Sequence, residues 1–256
     1  DGEVDEGSVW AVRELAYAED LSVSGSPGTF TADGEYALLV DDSERLTVLA
    51  LADGYSLIEP PDGLVWPGAL VRESGGTLYL AAVVDDSLAN DIVELWSWDA
   101  SAAEWLYEDE VVSVSDSREV GFVRGAIDSV GQPSFMVQDD DSDYCYFYTS
   151  DGMSYGQFAV RGCEQGQLLV ASDGTPWAII EDSNKLYALE GQDTGGGSWS
   201  FSTEYLSTSY YYIAATLDAA GLYPQVLEVS TSSMSYHRYD GSGWSNTTVA
   251  TTGAYR

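Results

Sequence analysis

Basic residues are scarce. Lys185 is the only lysine, eight arginines are scattered, and 43 carboxylates face nine basic side chains, for a formal charge of −34 over 256 residues. Phosphate-backbone binding needs clustered cations that release counterions, so nucleic acid and anionic membrane surfaces are poor partners. Histidine is scarcer still. His237 stands alone, and no His-Glu-x-x-His, phosphate-binding or dinucleotide-binding signature is present. No apolar run reaches the ~18 residues that a membrane-spanning helix needs, so no membrane insertion is expected. Cysteine is limited to Cys145 and Cys163. An even pair in a Thr-, Ser- and Gly-rich chain points to a disulfide and an oxidising compartment; two buried thiols are the alternative. Neither cysteine has a neighbouring His or Cys that would make a metal site.

Apolar residues are not scarce. They make up 45% of the chain, which is enough for a folded core despite the charge. The length suits a single domain over 1–256. Residue 1 is Asp and no signal peptide is legible, so a processed mature product or a segment of a longer polypeptide is expected.

Three markers repeat along the chain. Acidic turns ending in serine occur at Asp41–Ser43, Asp85–Ser87, Asp139–Ser142 and Glu181–Ser183, with a weaker fifth at Glu228–Ser230. Each follows a β-prone apolar run. Glycine turns precede those runs at Asp33-Gly34, Gly75-Gly76, Asp128–Gly131, Asp173-Gly174 and Asp218–Gly221. An aromatic series, Trp10, Tyr55, Trp105, Tyr155, Trp199 and Trp244, recurs at spacings of 45, 50, 50, 44 and 45. Each unit therefore reads strand A, Gly turn, strand B, acidic turn, strand C, Asp-Gly turn, aromatic strand D. Residues 10–20 are the one stretch that would pass as a helix, and Trp10 places its start in the strand series. Four short strands in ~40–50 residues is the size of a propeller blade.

The segments Ala126–Pro133 (Ala-Ile-Asp-Ser-Val-Gly-Gln-Pro) and Tyr239–Trp244 (Tyr-Asp-Gly-Ser-Gly-Trp) resemble the repeats of secreted bacterial β-propellers. The Asp-Gly-x-x-Trp turn is also similar to the Asp-box of sialidase-like propellers, without its leading Ser or Thr. The resemblance implies the propeller fold and secretion, and no single activity. The expected fold is all-β. It is a β-propeller of four-stranded antiparallel blades, with five complete repeats plus an extra N-terminal strand. Part of a six-bladed or larger propeller is the alternative. The approximate units are 1–20 (the N-terminal strand), 21–65, 66–117, 118–164, 165–209 and 210–256.

In such a meander the A–B and C–D turns lie at one end and the B–C and D–A connections at the other. That gathers the acidic turns, including Asp41, Asp85, Asp86, Asp91, Asp139–Asp143, Glu181 and Asp182, on one face. This face attracts cations or simply solvates the strand ends. Asp139, Asp141 and Asp143 alternate like the start of a calcium loop, but Tyr144 and Ser150 replace its glycine and glutamate, so calcium is a weak candidate cofactor. Gly152–Gly156 matches Gly-x-Ser-x-Gly but lacks the following helix, and nothing brings His237 to it. Trp66 is placed in a D–A connection on the acidic face, and Tyr210, Tyr211 and Tyr212 in the equivalent connection before the fifth unit; these are ligand-binding candidates. Arg72 and Arg124, on adjacent inner strands, are candidates for recognising a substrate carboxylate. The expected function is a non-catalytic, secreted or cell-surface module that binds a glycan or protein. The alternatives are a sialidase-like glycoside hydrolase and a structural part of a larger surface assembly.

Overall fold

The computed structural model describes residues 29–31, 33–41, 43–51, 56–73, 76–84, 92–112, 119–128, 130–150, 155–195, 198–208, 212–230 and 233–251. Twenty strands run through them. The first sheet holds β1 (Thr29–Phe30), β2 (Tyr36–Val40), β3 (Leu46–Ala50) and β4 (Ser56–Ile58). The second holds β5 (Leu64–Arg72), β6 (Leu78–Val84), β7 (Val93–Asp99) and β8 (Glu104–Val112). The third holds β9 (Val120–Ile127), β10 (Pro133–Asp139), β11 (Tyr144–Ser150) and β12 (Tyr155–Gly162). The fourth holds β13 (Gln165–Val170), β14 (Pro176–Asp182), β15 (Lys185–Gly195) and β16 (Ser198–Thr208). The fifth holds β17 (Tyr212–Leu217), β18 (Pro224–Val229), β19 (Ser233–Tyr239) and β20 (Trp244–Thr251). Each sheet is a simple antiparallel meander in chain order, and no helix occurs among the described residues. The N-terminal strand expected around Trp10 lies outside them, as does Tyr55.

Burial explains why the strands read as they do. The second strands β10 and β14 are buried almost throughout, because both of their faces meet a neighbouring sheet. The fourth strands β16 and β20 are mostly exposed, with polar and Thr/Ser-rich sequences suited to a rim. Four hydrophobic clusters lie between consecutive sheets. Leu38 and Val48 meet Leu70 and Leu80 between the first and second. Val71 and Ala81 meet Val123 and Phe135 between the second and third. Met136 and Phe147 meet Leu168 and Ile180 between the third and fourth. Ile179 and Ala188 meet Val226 between the fourth and fifth. The innermost strands β5, β9, β13 and β17 follow one another around the stack. β9 approaches β5 so closely that a Cβ at Gly125 would sit 2.6 Å from Val71 Cγ1, which only glycine avoids.

Three of the repeating aromatics, Trp105, Trp199 and Trp244, tie their sheets to the one before. Trp199 on β16 stands edge-on to Phe147 of the third sheet, with ring centroids 5.8 Å apart. Trp244 on β20 meets Trp177 of the fourth sheet at 6.3 Å. Trp105 on β8 donates its indole N–H to Glu59 O, at 2.9 Å, in the connection from the first sheet. Trp66 corrects the sequence reading. It lies inside β5, not in a loop, and packs against the cluster between the first and second sheets. Pro67 does not end the strand, because a bulge between Val65 and Gly68 accommodates the missing donor. Trp66 N–H bonds to Glu44 O at 2.9 Å, anchoring β5 to the first sheet's acidic turn.

Candidate functional site

The turns set the stage. Aspartate side chains accept backbone N–H groups two residues on at Asp33, Asp41, Asp99, Asp128, Asp173, Asp193 and Asp240, and four residues on at Asp218. These side chains do the work of a backbone turn. All but Asp41 sit at the A–B and C–D end, where Gly34, Gly131, Gly174 and Gly221 supply positive φ. Much of the acidity is therefore committed to holding hairpins. Donated bonds also pull several of these carboxyls below their ordinary range. Ser101 does so for Asp99, Ser242 for Asp240, the backbone of Leu222 for Asp218 and the backbone of Arg45 for Asp41.

At the same end, a polar notch forms between the first two sheets. Arg72, at the end of β5, reaches back to the A–B turn of the first sheet. Its Nη1 donates to Asp33 Oδ2 at 2.9 Å and to Glu35 Oε2. Its guanidinium lies over the Tyr36 ring, 5.1 Å from the centroid. Thr31 Oγ1 donates to Asp33 Oδ1 at 2.6 Å and fixes the carboxylate. The side chains of Arg72, Asp33 and Glu35 are 15%, 32% and 45% exposed, so the cluster is ordered but open to solvent. Burial opposes ionisation of Asp33, yet the bonds from Thr31, the Glu35 backbone and Arg72 outweigh it and hold the carboxyl low.

Arg124 does not join Arg72. It lies in the middle of β9 and faces the opposite way, toward the fourth sheet. Nε donates to Gly166 O on β13 and Nη1 to Val123 O, each at 3.0 Å, and the guanidinium covers the Phe122 ring. Desolvation lowers its pKa. Sheet registers place Gln167 of β13 at the position matching Arg124, counted from the Val170–Pro176 and Ile127–Pro133 pairs. Gln167 makes the same forward reach. Its Nε2 donates to Ile213 O at 3.3 Å and its Oε1 accepts from Ala215 N–H at 2.6 Å.

The other candidates fall elsewhere. Tyr212 opens β17 at the end opposite Arg72, while Tyr210 and Tyr211 lie outside the described residues, as do Asp85, Asp86 and Asp91. Asp139 is buried at the end of β10, and Asp141 and Asp143 stand in the β10–β11 turn. Among the described residues no three carboxylate, thiol or imidazole groups assemble as metal ligands, these three included. Ser154 lies outside the described residues, and Tyr155 begins a strand rather than a helix. His237, on β19, is buried and paired with Glu228 Oε2 at 2.8 Å, facing the fourth sheet's core. Cys145 and Cys163 form a disulfide with a Cα–Cα distance of 5.8 Å, joining β11 to the residue after β12. No described helix is long and apolar enough to cross a membrane.

Solved structures settle the architecture. A mutant of the Aleuria aurantia lectin, in complex with Fucα1-6GlcNAc, is 12% identical with a TM-score of 0.56, covering 88% of this chain and 77% of that one. The SapL1 lectin in complex with α-methyl fucoside is 12% identical with a TM-score of 0.59, covering 90% and 81%. The chain folds as a β-propeller. A Penicillium chrysogenum α-L-arabinanase complexed with arabinobiose shares the propeller at 11% identity and a TM-score of 0.57, covering 86% of this chain and 79% of that one. No protein-family model and no curated protein matches the sequence.

The propeller's notch contains residues that sequence reasoning passed over. Asp33 and Gly34 read only as a turn, Tyr36 reads as the start of a β-prone run, and Glu35 between them carries no signal of its own. The available signal was the register: the A–B turn of one unit meets the end of strand A of the next.

Proposed function

We propose that this propeller is an extracellular, non-catalytic glycan-binding module, and that the notch of Arg72, Asp33, Glu35 and Tyr36 is where it meets sugar. The observation that carries the reading is that cluster itself. A guanidinium and two carboxylates, fixed in place beside the Tyr36 ring and open to solvent, match the vicinal hydroxyls of a pyranose. Two lectins of the same fold bound to fucosides support it. The disulfide fits an oxidising compartment. The arabinanase neighbour raises hydrolysis as a second reading. Hydrolysis needs a carboxyl with a raised pKa to act as acid; in the notch Asp33 is shifted the other way, whereas burial pushes Glu181, at the opposite end of the fourth sheet, upward.

The test is a glycan array probed with wild type and with Arg72→Met. Binding to one sugar class is expected, with a loss of about tenfold or more in the variant. An array without signal overturns the lectin reading. Release of reducing sugar from an array-positive glycan replaces it with the hydrolase.

A further inference from the structure

Arg124 carries more than the fold asks of it. The other described arginines with ion-pair partners meet carboxylates: Arg45 with Asp41, Arg72 with Asp33 and Glu35, and Arg161 with Asp182. Arg124 has no carboxylate partner among the described residues, although the chain holds 43 of them. Instead it spends two of its five N–H groups on backbone carbonyls, Gly166 O and Val123 O. Its register mate, Gln167, ties β13 to β17 with an uncharged amide. A neutral side chain is therefore sufficient for the clasp. The positive charge, and the N–H groups left at the Nη1/Nη2 end, are surplus to it.

That end of a guanidinium is a fork that fits a carboxylate with two parallel hydrogen bonds. Arg124 as a residue is intermediate in burial, so it is not sealed inside the hydrophobic core. Phe122 covers one face of the guanidinium plane, at 4.8 Å, which leaves the edge as the open approach. A partly desolvated cation without a counter-charge is costly, and a bound anion removes that cost.

We propose that Arg124 is the anchor of an anion site on the inner strands between the third and fourth sheets, taking the carboxylate of a small organic acid or acidic sugar. The site shares no residue with the Arg72 notch, so either reading stands or falls without the other.

The probes are D-glucuronate and acetate, with D-glucose as the neutral control, titrated calorimetrically into wild type and Arg124→Gln. The variant reproduces the amide of Gln167 and is expected to keep the clasp and the melting temperature. Glucuronate is expected to bind wild type and to lose about tenfold or more in affinity in the variant, with glucose silent in both. Acetate binding as tightly as glucuronate assigns the site to free organic acids; weaker acetate binding assigns it to acidic sugars. Equal glucuronate binding by the variant, or none by wild type, overturns the proposal. Should the variant fail to fold, the wild-type arginine side-chain ¹⁵N resonances decide. Glucuronate must shift those of Arg124, and an unmoved signal overturns the site.

Discussion

At the residue scale, the aspartates of the turns tie sequence to stability most directly. Asp240 is exposed and Asp99 partly so, and each still holds three donors, one of them a serine hydroxyl. Their carboxyls lie below the ordinary 3.8 in the folded protein. The unfolded chain therefore takes up these protons first as pH falls. The stabilisation is fully present above 3.8 and is lost as pH drops through the lower folded values. Urea midpoints measured from pH 7 down to about pH 2.5 should hold until the carboxylate range and then fall. The pair Asp99→Asn and Asp240→Asn keeps an acceptor oxygen but does not titrate. It should be less stable than wild type at pH 7, with a shallower decline in acid. An unchanged acid slope would mean that other carboxylates carry the transition.

At the element scale, sheets are joined by a small set of repeated contacts, and the sequence showed these unevenly. The aromatic on strand D was legible because it recurs at a fixed period. The amide and guanidinium clasps were not, because Arg124 and Gln167 are chemically different and only the registers reveal them as equivalent. Trp66 was misplaced for a related reason. Pro67 looks like the end of a connection, and a bulge that lets a strand run through proline leaves no mark in composition. Arg72 was picked out, but its partners lie 39 and 37 residues earlier, in the turn of another sheet. The clasp gives a local prediction. Gln167→Met preserves bulk and removes both bonds to β17, leaving Ile213 C=O and Ala215 N–H without their side-chain partner. The cost should be about 1–3 kcal/mol. Hydrogen exchange should quicken in β17–β20 and stay unchanged in β5–β8. Uniform acceleration throughout would show that the sheets unfold as one unit and that the clasp has no local role.

At the scale of the whole molecule, two features oppose each other. Four hydrophobic interfaces hold five sheets in a stack, and a net charge of −34 pushes the stack apart. Few cations offset that charge, and those at Arg45, Arg72 and Arg161 are already paired locally. The remaining carboxylates repel across distances comparable to the spacing between turns. Such repulsion is long-ranged in dilute buffer, where the Debye length is ~30 Å at 0.01 M, and short-ranged at ~3 Å in 1 M salt. Stability should therefore climb with ionic strength, most steeply at the low end. Melting curves from about 10 mM to about 200 mM salt should rise equally in sodium chloride and sodium thiocyanate, because screening depends on ionic strength and not on the ion. Above that range the two salts should diverge, with thiocyanate turning downward as it weakens apolar burial. A melting temperature that is flat across the dilute range would mean that the turn hydrogen bonds, not the screening ions, already neutralise the strain of the charge. The stack would then owe its stability to the four interfaces alone.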